Sequence, residues 1–306
     1  MDKPTASLEQ AARAKQAVRE RVWALLERER VARFPGATGR IPNFAGAPAA
    51  AAQLASLPPW RTAQVVKANP DAPQLPVRAR ALADGKLLYM AVPRPAAEHP
   101  FIRLDPAELE VPPRRAASIT GSAWAGRPVS VAELQPVDLV VCGSVAVNRD
   151  GARVGKGGGF SDLEFALLAE AGLIGTNTTV ATTVHRLQLL EEALPETEHD
   201  FRLDLIVAGE EAITCRRTQR PQGILWSGWT RPRSPPSPPW PPEHQVAHTA
   251  RSPRWETARC PGAVAATRSP PPGWIDAPST AATFHRYAGG RNGATHQGQH
   301  KCRTSR

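Results

Sequence analysis

Residues 138–184 read DLVVCGSVAVNRDGARVGKGGGFSDLEFALLAEAGLIGTNTTVATTV, and this stretch decides the fold. Its first ten residues, Asp138-Leu-Val-Val-Cys-Gly-Ser-Val-Ala-Val147, are almost continuously apolar and rich in valine, the composition of a strand buried on both faces. A loop over 148–160 follows. The spacing of Leu163, Phe165, Ala166, Leu167 and Leu168 then predicts a helix over 161–171, and Thr179 to Val184 reads as a second strand. Strand, helix and strand in this order imply a parallel crossover and hence an α/β sandwich.

Working outward, a helix over 186–193 and a strand over 203–208 continue the same alternation. Upstream, residues 8–33 carry an apolar stripe at helical spacing that ends before Pro35. Residues 40–44 form a loop, and 45–57 an alanine-rich helix stopped by Pro58 and Pro59. A short strand is expected over 64–68. Two more, 78–82 and 86–92, are expected to form a hairpin at Ala83-Asp84-Gly85, because Asp-Gly tolerates positive φ. Residues 93–134 are rich in loop formers. No internal repeat is present.

Gly151-Ala-Arg-Val-Gly-Lys-Gly-Gly-Gly-Phe160-Ser-Asp lies between the buried strand and the helix. Glycines there let backbone N–H groups converge on an anion. Arg153 and Lys156 add positive charge, and Ser161 is placed to cap the helix. The loop matches neither a Walker A motif nor a dinucleotide fingerprint, so it indicates phosphate without naming the nucleotide. Lys15, Arg19 and Lys67 taken alone fit a solvated face equally well. His185 and Gln188 sit just past a strand end, Asp200 suits a loop-ordering role, and Cys142 reads as a small core residue.

Composition narrows the function classes. The chain of 306 residues holds 38 Lys+Arg against 28 Asp+Glu, a net of +10. Residues 227–306 account for +8 of it and residues 1–226 for only +2. The basic character therefore belongs to the tail. No window has the length and apolarity of a membrane helix, the N-terminus has no secretory signal, and four cysteines without CxxC or metal spacing suggest a reducing, cytoplasmic location.

Several ordered motifs resemble the 5-formyltetrahydrofolate cyclo-ligase (methenyltetrahydrofolate synthetase) family. GARVGKGGGFSD is similar to its glycine loop, Lys15-Gln-Ala-Val-Arg19 to its N-terminal K-x-x-x-R, and Leu194-Pro-Glu-Thr-Glu-His-Asp200 with Asp204 to its late H-D-x-x-x-D signature. Arg40-Ile-Pro-Asn-Phe44, Val66-Lys-Ala-Asn-Pro-Asp71, Gly143-Ser-Val-Ala-Val147 and Arg220-Pro-Gln-Gly-Ile-Leu-Trp226 resemble the branch of methenyltetrahydrofolate synthetase domain-containing proteins. The resemblance spans roughly residues 12–226. It implies a three-layer α/β sandwich with a mainly parallel sheet, of the cyclo-ligase and NagB/RpiA-like type, and expected to be a monomer.

The resemblance further implies ATP- and Mg²⁺-dependent conversion of 5-formyltetrahydrofolate to 5,10-methenyltetrahydrofolate. ATP phosphorylates the formyl oxygen, a neighbouring nitrogen attacks, and phosphate leaves. Such chemistry needs positioning and charge neutralisation more than a protein nucleophile. The residues implied for nucleotide are Lys15, Arg19, Arg153, Gly155, Lys156, Gly157, Gly158, Gly159, Phe160, Ser161 and Asp162. Arg153, Lys156 and Asp162 are expected to act on the transferred group, with Asp162 holding the metal. The active enzymes carry aromatic residues where this sequence has Lys156 and Ser161, and arginine where it has Leu163. No acidic counterpart for the early folate pocket appears in 40–44. The alternative expectation is a nucleotide-binding or RNA-associated protein of the same fold without that activity.

Beyond Trp226 the alternation of strands and helices stops. Residues 227–306 hold 13 of the chain's 32 prolines, little Leu, Ile or Val, and read as a disordered Pro/Arg-rich tail. Its arginines and tryptophans suit nonspecific contact with RNA. One permitted back-translation of Trp226 onward, read two bases further along, encodes Val-Gly-Leu-Asp-Pro-Ala-Lys-Ile-Ala-Ala-Ile-Pro-Ala-Leu-Ala-Ala. That contains the K-I-x-x-I-P-x-L ending of the family. A shifted reading frame near Trp226 is therefore expected, and resequencing the locus checks it: an unshifted gene whose tail is translated in the cell would refute the expectation.

Overall fold

The computed structural model describes residues 3–92, 98–216 and 220–224; the expected tail, 227–306, lies outside them. Helix α1 (Lys3–Arg28) is followed by α2 (Ala47–Ser56), α3 (Pro58–Thr62) and strand β1 (Val65–Ala68). Next come α4 (Leu75–Ala83), β2 (Leu87–Ala91), β3 (Phe101–Leu104), α5 (Pro113–Ala116), α6 (Ile119–Ala125) and β4 (Arg127–Val129). The remainder is β5 (Leu139–Cys142), β6 (Ala146–Asn148), β7 (Arg153–Val154), α7 (Phe160–Glu170), β8 (Thr179–Val184), β9 (Leu189–Leu190), β10 (Leu205–Ala208) and β11 (Glu211–Thr214).

Eight strands form one sheet in the order β11-β10-β8-β5-β1-β2-β3-β4. The five central strands run parallel, and β3, β4 and β11 are antiparallel at the edges. The α/β expectation holds. Alternate residues of each central strand face opposite layers. Val66, Ala68, Leu139, Val141 and Ala181 pack with Leu54 of α2 and Val77 and Ala81 of α4. Val65, Val140, Cys142 and Val180 pack with Phe165 and Leu168 of α7 on the other side. A smaller sheet, β7-β6-β9, shares a core with Val18, Val22 and Leu26 of α1.

Three local expectations are corrected. The hairpin over 78–92 is a helix and a parallel strand. Val77, Arg78, Ala81 and Leu82 are buried at helical spacing, and Asp84-Gly85 ends the helix, Gly85 at φ +75°. Parallel pairing of β1 with β2 requires this crossover. The long strand over 138–147 breaks at Gly143-Ser144 and its halves enter different sheets. The helix over 186–193 is a single 3₁₀ turn, Arg186–Gln188, running into β9. There the Gln188 carboxamide accepts from His185 N and donates to the carbonyls of Ser144 and Val145, drawing the chain into the small sheet.

At the opposite end of the sheet, aspartates tie adjacent chains together. Asp138 accepts from the backbone of Gln64 and Val65, and Asp204 from Val180 N and from Arg220. Among the described residues no helix is long and apolar enough to cross a membrane. Leu54 is fully buried between α2 and the sheet. Leu54→Ala should lower unfolding stability by about 2–5 kcal/mol, with an unchanged slope in urea titration.

Candidate active site at the C-terminal edge of the sheet

The crossovers from β1 and β5 leave in opposite directions. From β1 the chain runs through α4 to β2; from β5 it runs through the small sheet and α7 to β8, on the other layer. In open α/β sheets a ligand crevice is expected where neighbouring strands part in this way, outside their carboxyl ends. Its walls are Asn69-Pro-Asp71 after β1 and Gly143-Ser144 after β5. The walls touch: a Cβ on Gly143 would stand 2.9 Å from Ile41 and 3.1 Å from an Asp71 carboxylate oxygen.

The glycine loop crosses the mouth of this crevice. Gly157 and Gly159 adopt φ of +105° and +66°, conformations costly for any side chain. Gly159 is the N-cap of α7 and supplies no side-chain bond, so the first-turn N–H groups of α7 are left to an incoming anion. Ser161 is therefore not the cap that was expected; it lies inside the first turn. Buried Arg19 of α1 donates from Nε to Gly155 O at 2.7 Å and anchors the loop. Burial pulls its guanidinium below the usual value, against Asp200 and Asp162, which pull it up.

The other expected residues gather around the loop. Lys15 Nζ donates to Asp200 Oδ2 at 2.5 Å, and the same oxygen accepts from the amide and hydroxyl of Thr197. Asp200 thus orders its own loop and holds the N-terminal lysine. Lys156 reaches across to Asp71 Oδ1 at 3.3 Å. Arg153 turns inward: only 3% exposed, it donates to Gly143 O at 3.1 Å and to Asp162 Oδ1 at 2.7 Å. Its guanidinium lies 4.4 Å from the centroid of Phe201, which stacks on Phe165. Burial opposes its charge, yet Asp162 holds its pKa above the ordinary arginine value. Phe160 opens α7 beside Gly158, whose absent Cβ would meet the Phe160 ring at 2.8 Å.

Sequence reasoning gave several members of this cluster no role, and its solvated-face reading of Lys67 is corrected by the burial of that side chain. Asp71 carries an acidic group into the crevice from the loop after β1, not from 40–44. Lys67 is buried and pairs with Glu164 of α7, while Asn69 binds Ser161. The signal for Lys67 was present, since a lysine inside the otherwise apolar VVKA has no solvent to face. On the second layer, buried Arg78 donates to the carbonyls of Asn69, Asp71 and Ala117 and stiffens the Asp71 loop. His185 accepts from Leu187 N through Nδ1 and serves as a turn cap.

A model of the 5-formyltetrahydrofolate cyclo-ligase family matches residues 11–209. The methenyltetrahydrofolate synthase domain-containing protein of Mus musculus is 39% identical over 226 residues, covering 70% of this chain and 59% of that protein. The Homo sapiens protein of the same name is 36% identical over 225 residues, covering 70% and 57%. The chain thus spans a little under three fifths of the length of these relatives. Among solved structures, 5,10-methenyltetrahydrofolate synthetase of Aquifex aeolicus aligns with a TM-score of 0.43 and 20% identity, over 68% of this chain and 94% of that one.

Because Arg153 is nearly enclosed, removing its carboxylate partner leaves a buried cation short of an acceptor. Asp162→Ala should cost about 2–3 kcal/mol of stability in the ligand-free protein, measured by urea denaturation. A variant as stable as the wild type would show that the pair contributes nothing to the fold.

Proposed function

The chain belongs to the 5-formyltetrahydrofolate cyclo-ligase family, and we propose that it carries out the ATP-dependent conversion of 5-formyltetrahydrofolate to 5,10-methenyltetrahydrofolate, releasing ADP and phosphate. The observation that carries this reading is the position of the glycine loop. It lies over the crevice between β1 and β5, with Lys15, Arg19 and Lys156 around it and the open N-terminus of α7 within it.

In this reading the loop amides and Lys156 cradle the phosphate chain, Lys15 supplies a second cation, and Arg19 keeps the loop in shape. The fit rests on the cradle itself. Gly157 leaves open the space that a side chain would fill against Arg19. The formyl oxygen attacks the terminal phosphorus as ADP departs. The neighbouring folate nitrogen then attacks the activated carbon and phosphate leaves. Each step develops or moves negative charge at oxygens, so fixed donors in a partly desolvated crevice lower the barrier.

Mg²⁺ when bound neutralises charge between phosphate oxygens. It is commonly held by one or two carboxylates plus substrate oxygens. Asp162 has that chemistry and is kept in place by Arg153. Among the described residues no three His, Cys, Asp or Glu side chains gather into a metal cluster, so the remaining oxygens in this reading come from substrate and water.

A spectrophotometric assay for the methenyl product with the purified chain tests the proposal. ATP-dependent product is expected, with Lys15→Ala lowering kcat/KM for ATP by about tenfold or more, the scale of one charge-assisted contact. ATP binding with no product from 5-formyltetrahydrofolate would instead favour a nucleotide-binding protein lacking this activity, which the replacements at Lys156, Ser161 and Leu163 motivate.

A further inference from the structure

Lys67 is the one charged residue of strand β1 and is 2% exposed. A buried ammonium is tolerated only when its donors are met. Here Nζ donates to Glu164 Oε2 at 2.5 Å and to Asn69 Oδ1 at 2.9 Å. The polarity of the next contact is then forced. An ammonium has donors and no acceptor, so the Asn69 carboxamide must turn its oxygen toward Lys67 and its NH₂ away. That NH₂ donates to Ser161 Oγ at 2.5 Å. With this lone pair occupied, the serine proton is directed elsewhere. Among the described residues the Ser161 hydroxyl has no other hydrogen-bond partner, and it sits in the first turn of α7, two residues after Gly159.

We propose that Lys67 and Asn69 are positioning residues that orient the Ser161 hydroxyl as a donor to an anionic oxygen of a bound nucleotide's phosphate chain. Three donors run in one direction, from Lys67 to Asn69 to Ser161, and end at the mouth of α7, where the helix amides also point. Glu164 neutralises Lys67, so the relay sets direction without adding net charge beneath the loop. The inference rests on the nucleotide reading above. It gives a task to Ser161, at a position where the active enzymes carry an aromatic residue: a short hydroxyl held from below by Asn69 and free to donate above.

Isothermal titration of the full chain with ATP tests the relay, using wild type, Ser161→Ala, Ser161→Thr, Asn69→Asp and the double variant Ser161→Ala/Asn69→Asp. Circular dichroism melts verify that each is folded. Ser161→Ala should bind ATP about tenfold more weakly, the equivalent of one hydrogen bond to a charged group. Ser161→Thr, which keeps the hydroxyl, should bind as the wild type does. In Asn69→Asp a carboxylate accepts from both Lys67 and Ser161, turning the serine proton inward. Its loss should equal or exceed that of Ser161→Ala, and the double variant should be no worse than Asn69→Asp alone. Wild-type affinity in Ser161→Ala, or losses that add in the double variant, would overturn the relay while leaving the nucleotide reading intact. A wild-type chain that binds no ATP would overturn the nucleotide reading and the relay with it. Should Asn69→Asp fail to fold, Asn69→Ala replaces it: its loss should not add to that of Ser161→Ala, and additive losses would overturn the relay.

Discussion

Everything at the candidate site depends on the parting of the chain between β1 and β5. Backbone hydrogen bonding holds the two strands side by side through the pairs Val66 with Leu139, Lys67 with Val140 and Ala68 with Val141. Their continuations then leave for opposite layers, α4 on one and α7 on the other. The carboxyl ends cannot both be covered by one connection, so a crevice with polar backbone at its rim follows from topology. Gly143 makes it narrow, because a side chain at that position would collide with Ile41 and Asp71.

The charges around the crevice are arranged by depth. Lys67 and Glu164 have side chains only 2% and 5% exposed, so their pairing is a fixed part of the interior. Lys15 and Asp200, at 13% and 11%, are partly shielded. In the third pair Asp71 is as shielded, at 14%, but Lys156 is 42% exposed, so that end of the ion pair exchanges readily with water. Of the three pairs, the outermost is the most easily replaced. Lys156 can exchange Asp71 for another partner at small cost. The deepest pair keeps its geometry throughout.

The fold was legible where a single period dominated. The first half of the apolar run, the helix after the glycine loop and the strand at 179–184 appear as expected, because buried parallel strands and a one-sided helix leave clear spacing, whereas the second half of the run passes into the small sheet. The reading failed where one short motif has two uses. Asp84-Gly85 suits a hairpin and a helix terminus equally, and only the parallel pairing of β1 with β2 decides between them. Gln188 was similarly deceptive: its carboxamide is committed to backbone groups far away in sequence, which no local period records. At the site, the loop and its cations were readable from residue type. The pairing of those cations with Asp71, Glu164 and Asp200 was not, since contact across 85, 97 and 185 residues is a property of the tertiary fold.

The contact between Lys15 and Asp200 has a kinetic consequence. It joins the first helix to one of the last loops of the described domain, and so encloses nearly all of the intervening chain. Closing so long a segment costs only a few kcal/mol of entropy beyond a short one, but contacts of such sequence separation are of the slow-forming kind. During synthesis the lysine emerges long before its aspartate. A ligand that requires both therefore recognises only finished chains, and by binding them it withdraws the completed fold from the unfolding equilibrium. Such a ligand would act on the abundance of the protein as well as on its chemistry.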